Sequence, residues 1–307
     1  TIKVNIHFIS KYDSTGNWYE YGNGDGVKND ADNWDNGYFV GNLLINGGLG
    51  PFPEEGYSNL ILANSGFQTC PPGNTFPVTE TQYRYELYKN PNDPNDRGIY
   101  FHHNSADYFN FEVSNSLADH YKNTYSKHGA EVLDVFMTGY KFQEGDQGTL
   151  LDLNGNGTPR EYLNDRCGIP GGFATGAPAP IDKMTVVLAN YWCKLYEEGN
   201  PYMHYKSISR IINHEIGHCL GLRHTNEFYH LECTDYSRSC ECFAVNTSTC
   251  NAFALANNIM AYGQNEYVLS PCQIGVIHKN IVNWQYLAVD EPNLIKNDFC
   301  EISAPDL

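Results

Sequence analysis

Residues 214–224, HEIGHCLGLRH, place three histidines and one glutamate around a glycine. Side chains four residues apart project from the same face of a helix, so His214 and His218 can bind one metal ion together. Gly221 is suited to ending that helix, because glycine accepts the left-handed backbone conformation that a sharp reversal requires. The reversal can bring His224 to the same ion as a third nitrogen ligand. Three protein ligands leave a fourth position for water, which is typical of catalytic rather than structural zinc sites.

Glu215 follows the first histidine directly and can reach a zinc-bound water without binding the ion itself. Zinc lowers the pKa of such a water from about 15.7 to about 7. Glu215 would take the proton as a general base and return it to the leaving amine of a cleaved peptide bond. The short pattern HExxH often occurs by chance, but the full pattern HExxHxxGxxH is far more selective. The motif therefore predicts metal-dependent peptide hydrolysis.

The motif from His214 to His224 resembles the active-site motif of the metzincin zinc metallopeptidases. Members of this clan also have a methionine in a tight turn below the metal, and residues 257–263, NNIMAYG, supply Met260. The resemblance implies that Met260 forms a hydrophobic base under the zinc, although an ordinary core methionine would look much the same in the sequence. Tyr262 matches a tyrosine of some metzincin subfamilies, which implies that its phenol binds zinc loosely or hydrogen-bonds the oxyanion.

The same resemblance implies a single catalytic domain over residues 1–307, with an α+β fold. Its upper part, 1–221, would hold a twisted mixed sheet, a backing helix and the active-site helix. A smaller, irregular lower part, 222–307, would hold the third histidine, the methionine turn and a closing helix. The substrate, an extended polypeptide, would bind in the cleft between the two parts.

Within the clan, the chain is most similar to the pappalysins. Residues 257–281, NNIMAYGQNEYVLSPCQIGVIHKNI, resemble their methionine turn, which a polar stretch and a closing helix with the pattern Q-I-x-x-I follow. The tripeptide HTN, which begins at His224, resembles their common HT. The chain departs from the pattern in a long cysteine-rich insert before Met260 and in Cys219, inside the active-site helix. Serralysin-type and astacin-type metzincins are the alternatives, although the G-G-x-G-x-D repeats that usually follow serralysin domains are missing from this sequence.

Residues 168–176, GIPGGFATG, precede a buried strand pattern at 183–192. The resemblance to metzincins implies that they form an exposed strand at the upper rim of the cleft. Gly172, Phe173 and Ala174 would then bind an extended substrate peptide as an added strand, through main-chain hydrogen bonds. An ordinary glycine-rich loop is the alternative.

Residues 152–165, DLNGNGTPREYLND, suggest a second metal. Asp152, Asn154 and Asn156 stand at alternating positions, as in the first half of an EF-hand calcium loop. The twelfth position holds Leu163 in place of the glutamate that completes such a loop. A calcium site on these oxygen ligands and a solvated turn of the same composition both fit the pattern.

The segments around these motifs mix strand and helix patterns, which favours one α+β or α/β unit. Strand patterns lie at 2–9, 81–89, 98–103, 131–142 and 183–192. Residues 2–9 alternate apolar and polar side chains, which predicts a half-buried strand there. Helical patterns lie at 39–48, 114–129, 207–221 and 270–284. The second of these helices has Ser114 or Asn115 as its N-cap and Gly129 as its stop. His102 and His103 are neighbours in one strand and point to opposite faces, so we expect them to be structural or exposed.

The charge of the chain limits its partners. Its 307 residues include 19 Lys and Arg against 36 Asp and Glu, a net charge of −17. This balance argues against nucleic acid, whose phosphates require a basic face, and against an anionic membrane surface. No apolar run approaches the roughly 18 residues that a membrane span needs.

Ten cysteines, four of them between 233 and 250, favour disulfides and an oxidising compartment. Cys240 and Cys242 have the wrong spacing for a zinc knuckle, so zinc thiolates are the weaker alternative. Cys167 resembles the cysteine-switch segment of metzincin pro-regions, but the even cysteine count favours a disulfide there. We therefore expect a secreted, extracellular or periplasmic protein whose export segment is not in this chain.

Taken together, these features predict a secreted zinc-dependent endopeptidase that acts on extended polypeptides. The alternative from another class is a secreted binding or adhesion protein whose zinc site is catalytically idle. Glu215 argues against this alternative, because an idle site could have lost the base at no cost to folding.

Overall fold

The computed structural model describes the segments that build one central sheet, the helices against it and the histidine motif. The described residues are 1–10, 37–47, 55–63, 81–108, 114–129, 132–138, 149–151, 161–163, 171–175, 183–189, 201–224, 258–260, 269 and 271–283. Within these ranges, no helix combines the length and the apolar character needed to cross a membrane.

A mixed sheet of six strands forms the centre of the described fold. The described strands are β1 (Ile2–Ser10), β2 (Tyr85–Leu87), β3 (Ile99–His103), β4 (Leu133–Thr138), β5 (Thr149–Leu151), β6 (Glu161–Leu163), β7 (Gly171–Ala174) and β8 (Thr185–Ala189). The order in the sheet is β2-β1-β4-β8-β7, and β3 pairs with the second half of β1. Every pair in this sheet is parallel except β7 with β8, and β5 and β6 form a separate antiparallel pair.

Helices cover both faces of the sheet. They are α1 (Gly37–Ile45), α2 (Tyr57–Leu62), α3 (Ser105–Tyr108), α4 (Asn115–Tyr125), α5 (Pro201–Cys219) and α6 (Pro271–Asn283). The main core lies between one face of the sheet and α1, α2, α5 and α6; we call this the front face. A smaller core with α3 and α4 covers the back face. The predicted α+β class, with a mixed sheet and helices against it, is confirmed.

The predicted helix at 114–129 forms, but it is shorter. Ser114 is its N-cap, and its Oγ accepts a hydrogen bond from Leu117 N at 3.2 Å. The helix ends at Tyr125, because Ser126 has left the helical conformation with φ −57° and ψ 136°. Gly129 does have a positive φ of 58°, but it lies in the turn beyond the helix and does not stop it.

β1 is buried on both faces, so the prediction of a half-buried strand was wrong. Its apolar side chains, such as Ile6 and Phe8, face the front core. The alternating polar side chains are equally buried, since Asn5 and His7 have no exposed surface. Buried polar groups need partners, and Asn5 Nδ2 donates to Tyr88 O at 2.9 Å. The alternation in the sequence therefore separates the apolar front core from buried polar side chains on the back face, rather than core from solvent.

Four side chains beneath α4 form a connected chain, here called the back-face network. Lys122 Nζ lies 2.7 Å from Asp134 Oδ2, and Asp134 Oδ1 accepts from His7 Nε2 at 3.0 Å. Neutral His7, with its proton on Nε2, accepts at Nδ1 from His102 Nε2, 2.9 Å away. Burial lowers the pKa of His7 despite its contact with Asp134, and burial followed by the nearby His7 lowers the pKa of His102 to about 3. His102 is thus structural, while His103 is exposed, as the strand pattern predicted.

The back-face network should make the fold sensitive to acid. His102 has a pKa of about 3 when folded and about 6.5 when unfolded. Because the unfolded chain takes up this proton first, the free energy of unfolding should fall as the pH drops from about 6.5 towards 3. His102→Gln keeps an N–H donor for His7 and cannot titrate, so it should flatten this fall. Denaturant titrations at several pH values, with His103→Gln as the exposed control, measure the effect. Equal pH slopes for His102→Gln and the wild type would contradict it.

Candidate metal centre

α5 is anchored in the front core and carries the histidine motif near its end. Ile208, Ile212 and Ile216 recur at helical spacing and are at most 1% exposed. The helix begins at Pro201, ahead of the predicted start at 207. Proline is favoured in the first turn, where its missing N–H would have had no helical partner. His214 and His218 therefore sit on a helix whose position is fixed by its apolar side.

The helix ends as the motif predicted. Gly221 has φ +96°, in the region that glycine tolerates and other residues rarely adopt. Its N–H donates to His218 O, and Leu222 N donates to Gly217 O, both at 2.9 Å. These two bonds are those of a Schellman motif, which satisfies the last carbonyls of a helix. The reversal that follows carries His224 back towards the helix.

The three histidines meet through their Nε2 atoms. The distances are 3.2 Å between His214 and His218, 3.0 Å between His218 and His224, and 3.1 Å between His224 and His214. Nδ1 of His214 donates to Ile259 O at 2.6 Å, and Nδ1 of His218 donates to Leu222 O at 2.8 Å. With the proton of each ring on Nδ1, the Nε2 lone pairs of these two rings point into the triangle.

This triangle fits a zinc ion. Tetrahedral bonds of about 2.0–2.1 Å put neighbouring ligand nitrogens about 3.3–3.4 Å apart, close to the 3.0–3.2 Å observed. A ligating histidine must be neutral. Burial, followed by the proximity of His218, lowers the pKa of His214 to about 3 and so keeps it neutral. Hydrogen bonds from Nδ1 to carbonyls are the usual means of orienting such ligands.

Glu215 is next to this triangle in sequence but does not belong to it. Among the described residues, the group of side chains whose ligand atoms lie within 4.8 Å of one another contains the three histidines alone. Glu215 is only 6% exposed, and burial raises its pKa to about 8. A nearby divalent cation would favour the carboxylate and oppose this shift. The chain thus holds a desolvated carboxyl group on the residue that directly follows a metal ligand, His214.

Gly172 leaves room for the Glu215 side chain. It belongs to β7, the last strand of the sheet order, and the same face of β7 contributes Ala174 to the front core. A Cβ atom on Gly172 would overlap Glu215 Oε1 and lie 2.8 Å from both Cγ and Cδ. The predicted strand at this position is confirmed, and its backbone lies directly against the side chain of Glu215. This contact could not be inferred from the sequence, because only the fold brings the strand and the helix together.

Met260 packs against the metal-binding turn of α5. It is fully buried, and its Sδ would lie 2.6 Å from a Cβ atom on Gly217, between His214 and His218 in the sequence. The preceding residue supplies the carbonyl that accepts from His214. The segment 258–260 therefore contacts the histidine motif both through a side chain and through its backbone.

Several sequence predictions fall outside the described residues. They are the oxyanion residue Tyr262, the calcium ligands Asp152, Asn154 and Asn156, and the disulfide at Cys167. Cys219 is described, and it is a free, fully buried thiol whose pKa burial raises to about 12. Its Sγ lies 3.8 Å from Thr185 O. With Cys219 unpaired, nine cysteines are left for pairing, so the argument from an even count fails.

Comparisons with known proteins found similar folds only among solved structures. The chain is 14% identical to mature mirolysin of Tannerella forsythia, solved in complex with a cleaved peptide; the match covers 90% of this chain and 89% of that chain, with a TM-score of 0.45. It is also 14% identical to a promirolysin variant of the same organism, over 93% of this chain and 81% of that chain, with a TM-score of 0.48. No family model and no curated protein sequence matches the chain. The geometry of the site itself therefore carries the assignment of function.

Proposed function

We propose that this protein is a zinc-dependent endopeptidase of the metzincin type. The observation that carries the proposal is the convergence of the three Nε2 atoms, with the buried Glu215 next to His214 in the sequence and outside the ligand set. Three histidines with an open fourth position are typical of catalytic zinc, whereas structural sites are closed by a fourth protein ligand. His214, His218 and His224 would hold the ion.

The chain's own residues supply the proton transfers. Zinc bound there contributes a Lewis acid that polarises the scissile carbonyl and makes water acidic near neutral pH. Glu215 acts as general base towards the attacking water and then, as general acid, passes the proton to the leaving amine. Its buried position suits this work, because a desolvated carboxylate is a stronger base than an exposed one.

The substrate class follows from β7. This strand is last in the sheet order and pairs antiparallel with β8. Among the described strands none pairs with its other edge, which is therefore available to a peptide. An extended peptide can add there as a further strand and be held by main-chain hydrogen bonds. Such binding along Gly172, Phe173 and Ala174 would bring a peptide bond past Glu215, against which β7 packs.

Finer features of the proposal come from the sequence. We propose that Tyr262, two residues beyond Met260 in the sequence, donates from its phenol to the developing oxyanion. We also propose, from the sequence, that the chain is a pappalysin-like enzyme and that it is secreted. Its upper and lower parts would be residues 1–221 and 222–307. Calcium at Asp152, Asn154 and Asn156 is a further prediction.

A catalytically idle zinc protein is the second candidate, and the surroundings of Glu215 argue against it. Burial raises the pKa of Glu215 to about 8, so its ionised form is unfavourable in this position. Among the described residues, no hydrogen-bond donor to this carboxyl group compensates for the loss of water. A buried acid without a structural partner is costly to the fold, and such groups are concentrated at functional sites.

Removal of the metal tests the proposed function. A strong chelator is expected to reduce hydrolysis of unfolded casein to background, and one equivalent of zinc should restore it, because Glu215 alone does not activate water or polarise the carbonyl. His224→Ala should show the same loss without chelator, with His103→Ala as the exposed control. Zinc binding without any hydrolysis would support the idle protein instead, and hydrolysis that survives complete zinc removal would reject the metal mechanism.

A further inference from the structure

The carbonyl that orients His214 belongs to a segment held in place by two buried amides. Asn258 is 1% exposed and Gln273, on α6, is 7% exposed. Their side chains bond each other twice: Asn258 Nδ2 donates to Gln273 Oε1 at 2.8 Å, and Gln273 Nε2 donates to Asn258 Oδ1 at 3.1 Å. We call this the amide pair.

The orientation of the amide pair is fixed by the backbone. Asn258 Oδ1 also accepts from Met260 N at 2.9 Å. A backbone N–H can only donate, so the atom facing it must be the oxygen and the other atom of the Asn258 amide must be the donor. Gln273 must then present its oxygen to Nδ2 and its nitrogen to Oδ1. A reversed amide on either residue would place like groups together.

The amide pair holds the turn that carries the hydrogen-bond acceptor of His214, the Ile259 carbonyl. The bond from Met260 N to Asn258 Oδ1 closes a tight turn around Ile259. Within this turn, Ile259 O accepts from His214 Nδ1 at 2.6 Å. A change in the turn would rotate or release the imidazole and displace its Nε2 atom from the triangle.

α6 braces this turn against the rest of the site. Ile274 and Ile277 anchor the helix in the front core. Asn280 Nδ2 donates to Leu220 O, at the end of α5, at 2.8 Å. α6 thus contacts both the turn that holds His214 and the helix end that precedes His224.

We propose that Gln273, acting through Asn258, is a positioning residue for the metal ligand His214. The inference rests on one part of the proposed function, the binding of a metal by the three histidines, and not on peptide hydrolysis. Outer partners of metal ligands commonly change metal affinity by about 10- to 100-fold. Gln273 is two hydrogen bonds further from the ligand than the Ile259 carbonyl, so the lower end of this range applies.

Gln273→Met tests the role of the amide pair, because methionine has a similar shape and forms no comparable hydrogen bonds. Zinc binding by the whole chain, measured by competition with a chromophoric chelator, is expected to weaken roughly 10-fold. The absorption spectrum of the cobalt-substituted protein should shift, since one imidazole is no longer held in position. Gln273→Glu provides a second variant if Gln273→Met does not fold: it keeps the acceptor for Asn258 Nδ2, and its ionised carboxylate replaces the donor to Asn258 Oδ1 with an acceptor that repels it.

His278→Ala is the matched control, because His278 is also on α6 and donates to a backbone carbonyl, Thr81 O at 2.7 Å, away from the triangle. It should lower the melting temperature and leave zinc affinity and the cobalt spectrum unchanged. If Gln273→Met behaves in the same way, the amide pair is only structural and the inference is wrong. If the wild type binds no zinc at pH 7, the metal assignment itself fails, which is a different outcome.

Discussion

Glu215→Gln is expected to keep its zinc and to lose turnover by roughly 10²–10⁴-fold. The amide has nearly the shape of the carboxyl group, so the packing against Gly172 should survive. It cannot take a proton from water, and the reaction then lacks its base. Because Glu215 lies outside the group of metal ligands, its loss should not release the ion.

The measurement is kcat on a peptide substrate, together with the zinc content of the purified variant. Glu86→Gln makes the same chemical change at an exposed position of β2 and should behave as the wild type. Full activity in Glu215→Gln would remove Glu215 from the mechanism. Loss of zinc together with activity would make it a ligand or a structural support.

Gly172→Ala should have the second largest effect, although it adds a single methyl group. The new Cβ atom would overlap Glu215 Oε1, so the carboxyl group or β7 must move. A displacement of about 1 Å of a catalytic group can reduce kcat by about 10²-fold. Zinc affinity should be little changed, because the three atoms nearest to the methyl group all belong to Glu215, which is not a metal ligand.

A double-mutant cycle identifies the cause. All three of the heavy atoms nearest to the new methyl group belong to Glu215, so Glu215→Ala should relieve the clash. Gly172→Ala is therefore expected to lower the melting temperature of the wild type and not that of the Glu215→Ala protein. Gly41→Ala on α1, whose three nearest atoms all belong to the Ile99 side chain, is the control that loses stability without losing kcat. Additive effects of the two changes at 172 and 215 would show that the contact is unimportant.

The histidine motif could be predicted because its geometry is local. Two histidines one helical turn apart and a glycine that reverses the chain determine the ligand triangle almost without help from the rest of the fold. The positive φ of Gly221 and the short distances between the Nε2 atoms agree with that expectation.

The supports of the site could not be predicted, because their partners are distant in the sequence. Nothing in Gly172 indicates that its Cα lies against Glu215, and nothing in Gln273 indicates that it bonds Asn258. The back face of β1 was misjudged for a similar reason: the polar side chain of His7 looks solvated until Asp134 is placed beside it. Periodicity shows which residues share a face and does not show what covers that face.

The central position of β1 has a consequence for how the chain acquires its structure. Val4 pairs with Leu87 on one side and Leu133 on the other, and both pairings are parallel. Such long-range pairing is slow, because a large loop must close before any contact compensates for its entropy. At ribosomal speeds, the stretch of about 130 residues from Val4 to Leu133 takes on the order of ten seconds to synthesise. During this interval β1 can pair with β2 and β3 but lacks its partner β4, and the metal-binding residues, which follow in the chain, can assemble only afterwards.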